Sequence, residues 1–181
     1  MKILALGAST SKASINRQFA AFAAAQFGNA TVTVPDLNDY EVPLFSVDIE
    51  KQQGVPPVVR SFVREFEQAD FIIISLAEHN GSYTAAFKNI FDWASRLDIQ
   101  MFGNKKVLLL ATSTGQGGGR NVLENAVKRF PKHGAVIAGH FSLPRFNDNF
   151  SAEKGIADES LRRDFDTLIN QIKETVYTPP E

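Results

Sequence analysis

The sequence predicts an α/β protein, a three-layer α/β/α sandwich on a parallel sheet, and three observations carry that prediction. Short apolar runs bounded by Gly, Asn and Ser recur along the chain, and most are followed by a longer stretch with helical spacing, the alternation of successive βα units. Two of the runs, Phe71-Ile72-Ile73-Ile74-Ser75-Leu76 and Val107-Leu108-Leu109-Leu110-Ala111, are near-continuously apolar, as expected of strands with helices on both faces. The length of 181 residues fits one hydrophobic core comfortably and two only with strain. No composition shift, repeat or low-complexity tract marks a boundary, so residues 1–181 are read as one domain.

Each element follows from its own pattern. Ile3 to Leu6 is the first strand, and Ile15, Phe19, Phe22, Ala23 and Phe27 lay an apolar stripe on a helix that stops near Gly28-Asn29. Thr31 to Val34 is the second strand. The loop that follows, through Pro35, Pro43, Pro56 and Pro57, is longer than most connections in compact domains, and its Asp36 to Phe45 segment is expected to lie across the strand edge. Val58 to Gln68 is a helix, Phe71 to Leu76 the third strand, and Tyr83 to Leu97 the next helix. Phe87, Ile90, Phe91, Ala94 and Leu97 make that helix's core stripe. Trp93 lies off its centre, which leaves two readings open: a subunit contact, since interfaces favour large aromatics, or packing on the long loop. Val107 to Ala111 is the fourth strand, then come a glycine loop, a helix over Arg120 to Phe130, a fifth strand over Ala135 to Phe141 and a last helix over Asp158 to Tyr177. His133 and His140, on or beside the fifth strand, are read as structural. The tail Thr178 to Glu181 is expected to fray.

Composition removes whole classes of function. With 44% hydrophobic and 22% charged residues the chain reads as an ordinary globular protein. Nineteen Lys plus Arg against twenty Asp plus Glu leave a net charge of −1, so no global field attracts nucleic acid or an anionic membrane. Zero cysteines exclude disulfides, thiolate nucleophiles and iron–sulfur clusters, and three histidines leave little for a metal site. The apolar run Met1 to Leu6 reaches Gly7 at once, too short for the core of a signal peptide, and no run approaches a membrane span. A cytoplasmic protein is the expectation.

In open parallel sheets ligands bind outside the carboxyl ends of the strands, so three loops carry the functional information. After the first strand, Gly7-Ala8-Ser9-Thr10-Ser11-Lys12-Ala13-Ser14-Ile15-Asn16 sets four hydroxyls and an amide around a helix start. Unpaired N–H groups, the positive dipole end and rotatable hydroxyls suit a dianionic phosphate. The dinucleotide pattern G-x-G-x-x-G and the triphosphate pattern G-x-x-x-x-G-K-[ST] are both incomplete here, so a cup for one terminal phosphate fits better. The alternative is that Ser14 merely caps the helix. After the third strand comes Ala77-Glu78-His79-Asn80-Gly81-Ser82-Tyr83, and after the fourth Thr112-Ser113-Thr114-Gly115-Gln116-Gly117-Gly118-Gly119. Both expose backbone that can approach a flat ring, with Asn80-Gly81 offering a positive-φ turn. The second could also be only a flexible loop.

On these residues the chain resembles the NAD(P)H-dependent FMN reductase family of flavodoxin-like proteins, which includes flavin, quinone, chromate and azo-dye reductases. The likeness rests on the 7–16 loop, on Glu78 to Ser82 with Lys88-Asn89 and Asp92-Trp93 on the following helix, and on the 115–119 loop. The resemblance implies a flavodoxin-like five-stranded parallel sheet in the order 2-1-3-4-5 and FMN as cofactor, with NADPH or NADH as electron donor. It implies that Ser9, Ser11, Ser14, Ile15 and Asn16 hold the FMN phosphate. Glu78, His79, Asn80, Gly81 and Ser82, with Ser113, Thr114, Gly115, Gln116, Gly117 and Gly118, would contact the isoalloxazine. It further implies ping-pong hydride transfer through flavin N5 to a small-molecule acceptor such as a flavin or quinone, and a homodimer or homotetramer. Where the family usually has Pro-Glu-Tyr-Asn this chain has Ala77-Glu78-His79-Asn80, and Thr10-Ser11-Lys12 stands where many members carry an arginine. No catalytic side chain is assigned, because hydride transfer belongs to the cofactor and the protein fixes geometry and electronics.

Three other classes of function compete with this one. A Ser–His–acid hydrolase built from Ser9 or Ser82 with His79 and Glu78 lacks a G-x-S-x-G elbow. A flavodoxin-type electron carrier would be strongly acidic to steer its partner, and this chain is not. A non-catalytic flavin-binding or interaction protein is the third class, since fold does not fix function. The 36–57 and 144–157 segments are the expected rim of the site, with Asn147-Asp148-Asn149-Phe150 supplying polar and aromatic groups.

Overall fold

The computed structural model describes residues 1–177. From the N-terminus run β1 (Lys2–Ala8), α1 (Ile15–Ala25), β2 (Thr31–Thr33), α2 (Val47–Gln53), α3 (Pro57–Gln68) and β3 (Phe71–Leu76). A small hairpin, β4 (Glu78–His79) and β5 (Ser82–Tyr83), precedes α4 (Ala85–Leu97), β6 (Lys106–Thr112), α5 (Arg120–Arg129) and β7 (Val136–Leu143). The chain continues through α6 (Phe146–Asn149), β8 (Phe150–Ser151), β9 (Gly155–Ile156) and α7 (Glu159–Tyr177). The main sheet is parallel throughout, in the order β2-β1-β3-β6-β7, which is the expected 2-1-3-4-5 once the hairpin strands are set aside.

Side-chain alternation along the strands sorts the core into two layers. Leu4, Leu6, Ile72, Ile74, Val107 and Leu109 face α3, α4 and α5, where Phe62, Phe66, Phe87, Ile90 and Val122 meet them. Ile3, Ala5, Phe71, Ile73, Leu108 and Leu110 face α1 and α7, against Phe19, Ala23, Phe165 and Ile169. Both faces of β3 and β6 are therefore covered, which is why residues 71–76 and 107–111 are apolar at every step but one. The exception, Ser75, is 0% exposed and belongs to the site.

Several expectations are corrected. The 35–57 connection is not a bare loop: it holds a 3-10 turn at Leu37–Tyr40 and the short helix α2, so the helices number more than the five expected. Asp36 and Ser46 cap these two pieces through their side chains, a signal present in the sequence but set among prolines. Trp93 is 0% exposed; its indole N–H donates to the Pro43 carbonyl at 2.7 Å and Phe45 packs edge-on against it at 5.0 Å. Packing on the long connection is thus the observed role. His140 is exposed, on the edge strand β7, opposite the α7-facing Gly139. Phe150 is 8% exposed and clustered with Phe22 and Phe146, so it is core and supplies no aromatic rim. The tail 178–181 lies outside the described residues.

Candidate functional site

The carboxyl ends of β3 and β6 are stitched to α1 by one side chain. Asn16, 2% exposed, accepts from the Ser75 hydroxyl at 2.7 Å and the Thr112 N–H at 3.2 Å, and donates to the Thr112 carbonyl at 3.1 Å. Gly7 lets the helix come that close: a Cβ there would sit 2.5 Å from the Arg17 backbone. The side chain of Asn16 is therefore consumed internally, and only its backbone N–H is left for a ligand.

Between Gly7 and α1 the chain folds into a cup. The Ser9 N–H bonds the Gly7 carbonyl at 2.8 Å, the Ser9 hydroxyl accepts the Ser11 N–H at 3.2 Å, and Ser14 N–H returns to the Ser11 carbonyl at 3.0 Å. Ser14 is the N-cap, its hydroxyl accepting from Arg17 N–H at 3.1 Å. The first-turn N–H groups of Ile15 and Asn16 have no protein acceptor among the described residues, and no acid in the first turn offsets the helix dipole. Lys12 and the partly exposed Arg17 stand nearby. Arg17 ion-pairs with Asp36 and donates to the Lys12 carbonyl at 3.3 Å. The Asn38 backbone N–H, helped by its side-chain amide and by Arg17, holds the Asp36 carboxyl below the usual range. This Arg17–Asp36 clamp on the loop was not read from the sequence, because Asp36 is distant in the chain.

The second loop is the β4–β5 hairpin. Asn80 (φ 51°) and Gly81 (φ 75°) occupy its turn, the left-handed pair that a two-residue type I′ hairpin requires and that Asn-Gly supplies. Its Glu78 carboxylate accepts from the Val122 N–H at 2.9 Å and the Asn121 amide at 3.1 Å. Helix α5 begins at Gly119 without a side-chain cap of its own, so Glu78 caps it from the neighbouring loop. The third loop, 113–118, is tied to the segment after β7 by Arg145 N–H to Gly115 O at 2.9 Å and Phe146 N–H to Ser113 O at 3.0 Å.

Ser9, Ser11, Ser14, Ile15, Asn16, Glu78, His79, Ser113 and Thr114 border one open depression of about 320 Å³. Asn80, Gly81, Ser82, Gly115, Gln116 and Gly117 lie in the same two loops outside its lining. Gly118 is buried, with the Ser142 hydroxyl 2.4 Å from where a Cβ would stand, and it serves packing. With the Glu78 carboxylate turned to α5, the phosphate end of the depression offers hydroxyl and N–H donors and no competing anion. That donor set fits the phosphate of a mononucleotide. The glycine backbone and the exposed His79 imidazole fit a flat ring beside it.

The Glu78 cap makes a stability prediction. Glu78→Ala should cost about 1–2 kcal/mol and raise hydrogen exchange at the Val122 amide by roughly tenfold, since each 1.4 kcal/mol is a factor of ten. Unchanged exchange at Val122 would show that α5 does not depend on this carboxylate.

Comparison with known proteins adds a family and a fold. The profile of the NADPH-dependent FMN reductase family matches residues 1–148. An uncharacterized protein of Mycoplasma pneumoniae is 31% identical over 163 residues, covering 87% of this chain and 95% of its own. The NADPH:quinone oxidoreductase of Arabidopsis thaliana is 32% identical over 126 residues, 65% of this chain and 61% of that enzyme. The quinone reductase of Escherichia coli K12 is 35% identical over 79 residues, 44% of this chain and 42% of that enzyme. Less than two thirds of either named reductase is therefore matched. Among solved structures, the flavoenzyme NAD(P)H:(acceptor) oxidoreductase of Paracoccus denitrificans superposes with a TM-score of 0.70 over 96% of this chain and 97% of that one, at 20% identity, a likeness of fold.

Proposed function

The chain belongs to the NADPH-dependent FMN reductase family, and from that premise we propose that it is an FMN-dependent oxidoreductase taking electrons from NADPH or NADH and passing them to a flavin, a quinone or a similar small acceptor. The observation that carries the reading is the donor-only cup on α1, set beside two backbone-rich loops at the carboxyl ends of the sheet. Ser9, Ser11 and the Ile15 and Asn16 N–H groups hold the phosphate, Ser14 keeps the helix end in place, and the 78–82 and 113–118 segments hold the ring. FMN supplies hydride acceptance and return when bound.

The chain's own residues do the positioning. Asn16 fixes α1 against β3 and β6, so the cup keeps its distance from the ring-holding loops. Glu78 locks the hairpin to α5 and fixes the position of His79, which stands at the ring face in place of the family's tyrosine. The Asn89 side chain accepts from Phe45 N–H at 2.8 Å and donates to the Val42 and Pro43 carbonyls at 3.2 and 3.1 Å, holding the 42–45 strap as a rim. One open approach serves donor and acceptor in turn, which is a ping-pong order.

The reading extends to a single FMN-binding domain over 1–181 acting in the cytoplasm on small molecules, not on nucleic acid or membranes. The balanced charge supports this, as does the absence, among the described residues, of a helix long and apolar enough to cross a membrane. Leu44 on the strap at 78% and Val47 at the start of α2 at 52% exposure give this rim an apolar surface for a neighbouring copy, in keeping with a homodimer or homotetramer.

The test is an anaerobic titration. Protein mixed with FMN should quench flavin fluorescence at one equivalent, and NADPH or NADH should then bleach the flavin absorbance, which a quinone restores. Parallel double-reciprocal lines would support the ping-pong order. Failure to bind FMN under any of these conditions would sink the reading.

A further inference from the structure

One strained residue borders the site, and holding FMN gives its side chain no task. Among the described residues, those other than glycine with positive φ are Asn29, Asn80, Asn104 and Arg145. Asparagine visits the left-handed region at little cost, whereas arginine at φ 47° and ψ 57° is strained there. In this turn two successive N–H groups meet the third loop, Arg145 on the Gly115 carbonyl at 2.9 Å and Phe146 on the Ser113 carbonyl at 3.0 Å. Glycine or asparagine would serve those bonds with less strain, so the backbone does not account for the arginine. Strained residues collect at functional sites, and this one is bonded to the loop whose Ser113 and Thr114 line the depression.

The guanidinium is also free. Arg145 is exposed, and among the described residues no ion pair or hydrogen bond holds its side chain, not even to Asp148, the one acid of the 144–150 segment. Arg17 and Lys88, by contrast, are taken by Asp36 and Asp92. Charge is uneven around the site. The 36–57 segment follows β2 at one edge of the sheet and carries five acids, Asp36, Asp39, Glu41, Asp48 and Glu50, against Lys51 alone. The 144–150 segment follows β7 at the other edge, and with the neighbouring 113–120 loop it carries Arg145 and Arg120 against Asp148. A nicotinamide dinucleotide brings a pyrophosphate, and its phosphorylated form a further phosphate. With FMN in the cup and the nicotinamide on the ring, those phosphates have to cross the rim. Like charge turns them from the 36–57 side, and a free guanidinium is the side chain that matches phosphate in shape and charge.

We propose that Arg145 is the specificity-determining residue for the electron donor, with its guanidinium on a phosphate of the nicotinamide dinucleotide. The inference rests on the reductase reading and adds to it the edge of the sheet over which the donor lies. Arg145 takes no part in hydride transfer and holds no part of FMN. It separates donors that carry phosphate from those that do not.

The test uses the full chain loaded with FMN, the loading checked by flavin fluorescence, and the variants Arg145→Asn, Arg145→Lys and Arg120→Gln. Asparagine keeps the left-handed turn, so Arg145→Asn should melt no lower than the parent and bind FMN as well. Arg120 is exposed, opens α5 and bonds the Gly117 carbonyl through its N–H at 3.0 Å, which makes it the control for charge near the loop. Calorimetric titration with NADP⁺ and NAD⁺, which do not turn over, should show affinity about ten- to a hundredfold weaker in Arg145→Asn, the loss of a hydrogen bond between charged groups. Arg145→Lys should restore part of it and Arg120→Gln should change little. In turnover the donor KM should rise by the same factor while the rate at saturation is kept. With N-benzyl dihydronicotinamide, a hydride donor without phosphate, parent and Arg145→Asn should react alike. A loss with both dinucleotides puts the pyrophosphate on Arg145, a loss confined to the phosphorylated one puts the 2′-phosphate there, and either supports the proposal. Undiminished affinity for both, an equal loss in Arg120→Gln, or an equal loss with the phosphate-free donor overturns it and leaves the reductase reading standing. A parent protein that binds FMN but neither dinucleotide overturns it too, and one that takes up no FMN fails the reductase reading and this inference with it.

Discussion

Asn16→Leu is expected to lower stability by about 4 kcal/mol, a large fraction of the 5–15 kcal/mol that holds a domain together. Leucine matches asparagine in heavy-atom count and branching but carries bulkier methyl groups, so the loss comes mainly from polarity, with crowding in the same direction. Three groups lose their partner at once: the Ser75 hydroxyl, the Thr112 N–H and the Thr112 carbonyl. Leaving a buried group unsatisfied costs about 1–3 kcal/mol, and the three share one site, so the sum falls short of additivity. For a chain of this size the melting temperature should fall by roughly 10 °C, measured without FMN so that ligand binding does not mask the change. Ser75→Ala is the contrast. It removes one donor and leaves Asn16 bonded to Thr112, so about 1 kcal/mol is expected. If the two variants melt alike, the network does not hold α1 to the sheet and its place in the site argument is lost.

That experiment bears on what the sequence could reveal. The βα alternation, the fully apolar central strands and the strand order were legible because hydrophobic periodicity reports directly on which faces are covered. The Asn80-Gly81 turn was legible because few dipeptides adopt two left-handed residues in succession. Asn16 was visible only as a polar residue at a helix start beside other polar residues, which reads as ligand-facing. Its inward direction depends on Ser75 and Thr112, which lie far along the chain. Glu78 is the same kind of case, since its partners Asn121 and Val122 belong to another βα unit. Local pattern thus located the loops, and long-range hydrogen bonding decided which of their side chains remain free. Trp93 shows the opposite limit: its off-centre helical position allowed two readings, and the Pro43 carbonyl that decides between them sits in a connection with no periodicity.

The double variant Ser9→Ala/Ser11→Ala is expected to weaken FMN binding about 100-fold while leaving the fold intact. Both hydroxyls sit on exposed or partly exposed turns of the cup, and the Ser9 oxygen's internal role is limited to accepting one N–H at 3.2 Å. A hydrogen bond to a charged group contributes about 1.5–3 kcal/mol, so losing two from a phosphate amounts to about 3 kcal/mol, or two factors of ten. Ser14→Ala separates binding from capping. Its hydroxyl already accepts the Arg17 N–H, so this variant should lose about 1 kcal/mol of stability and change FMN affinity far less. Fluorescence quenching titrations alongside thermal melts read both quantities on the same samples. An FMN affinity unmoved by the double variant would mean that the phosphate sits elsewhere, and the hydroxyl cup would then be only the turn that starts α1. A large loss in Ser14→Ala with none in the double variant would point instead to the helix end as the whole of the anion site, since the cap alone fixes how the Ile15 and Asn16 N–H groups are presented.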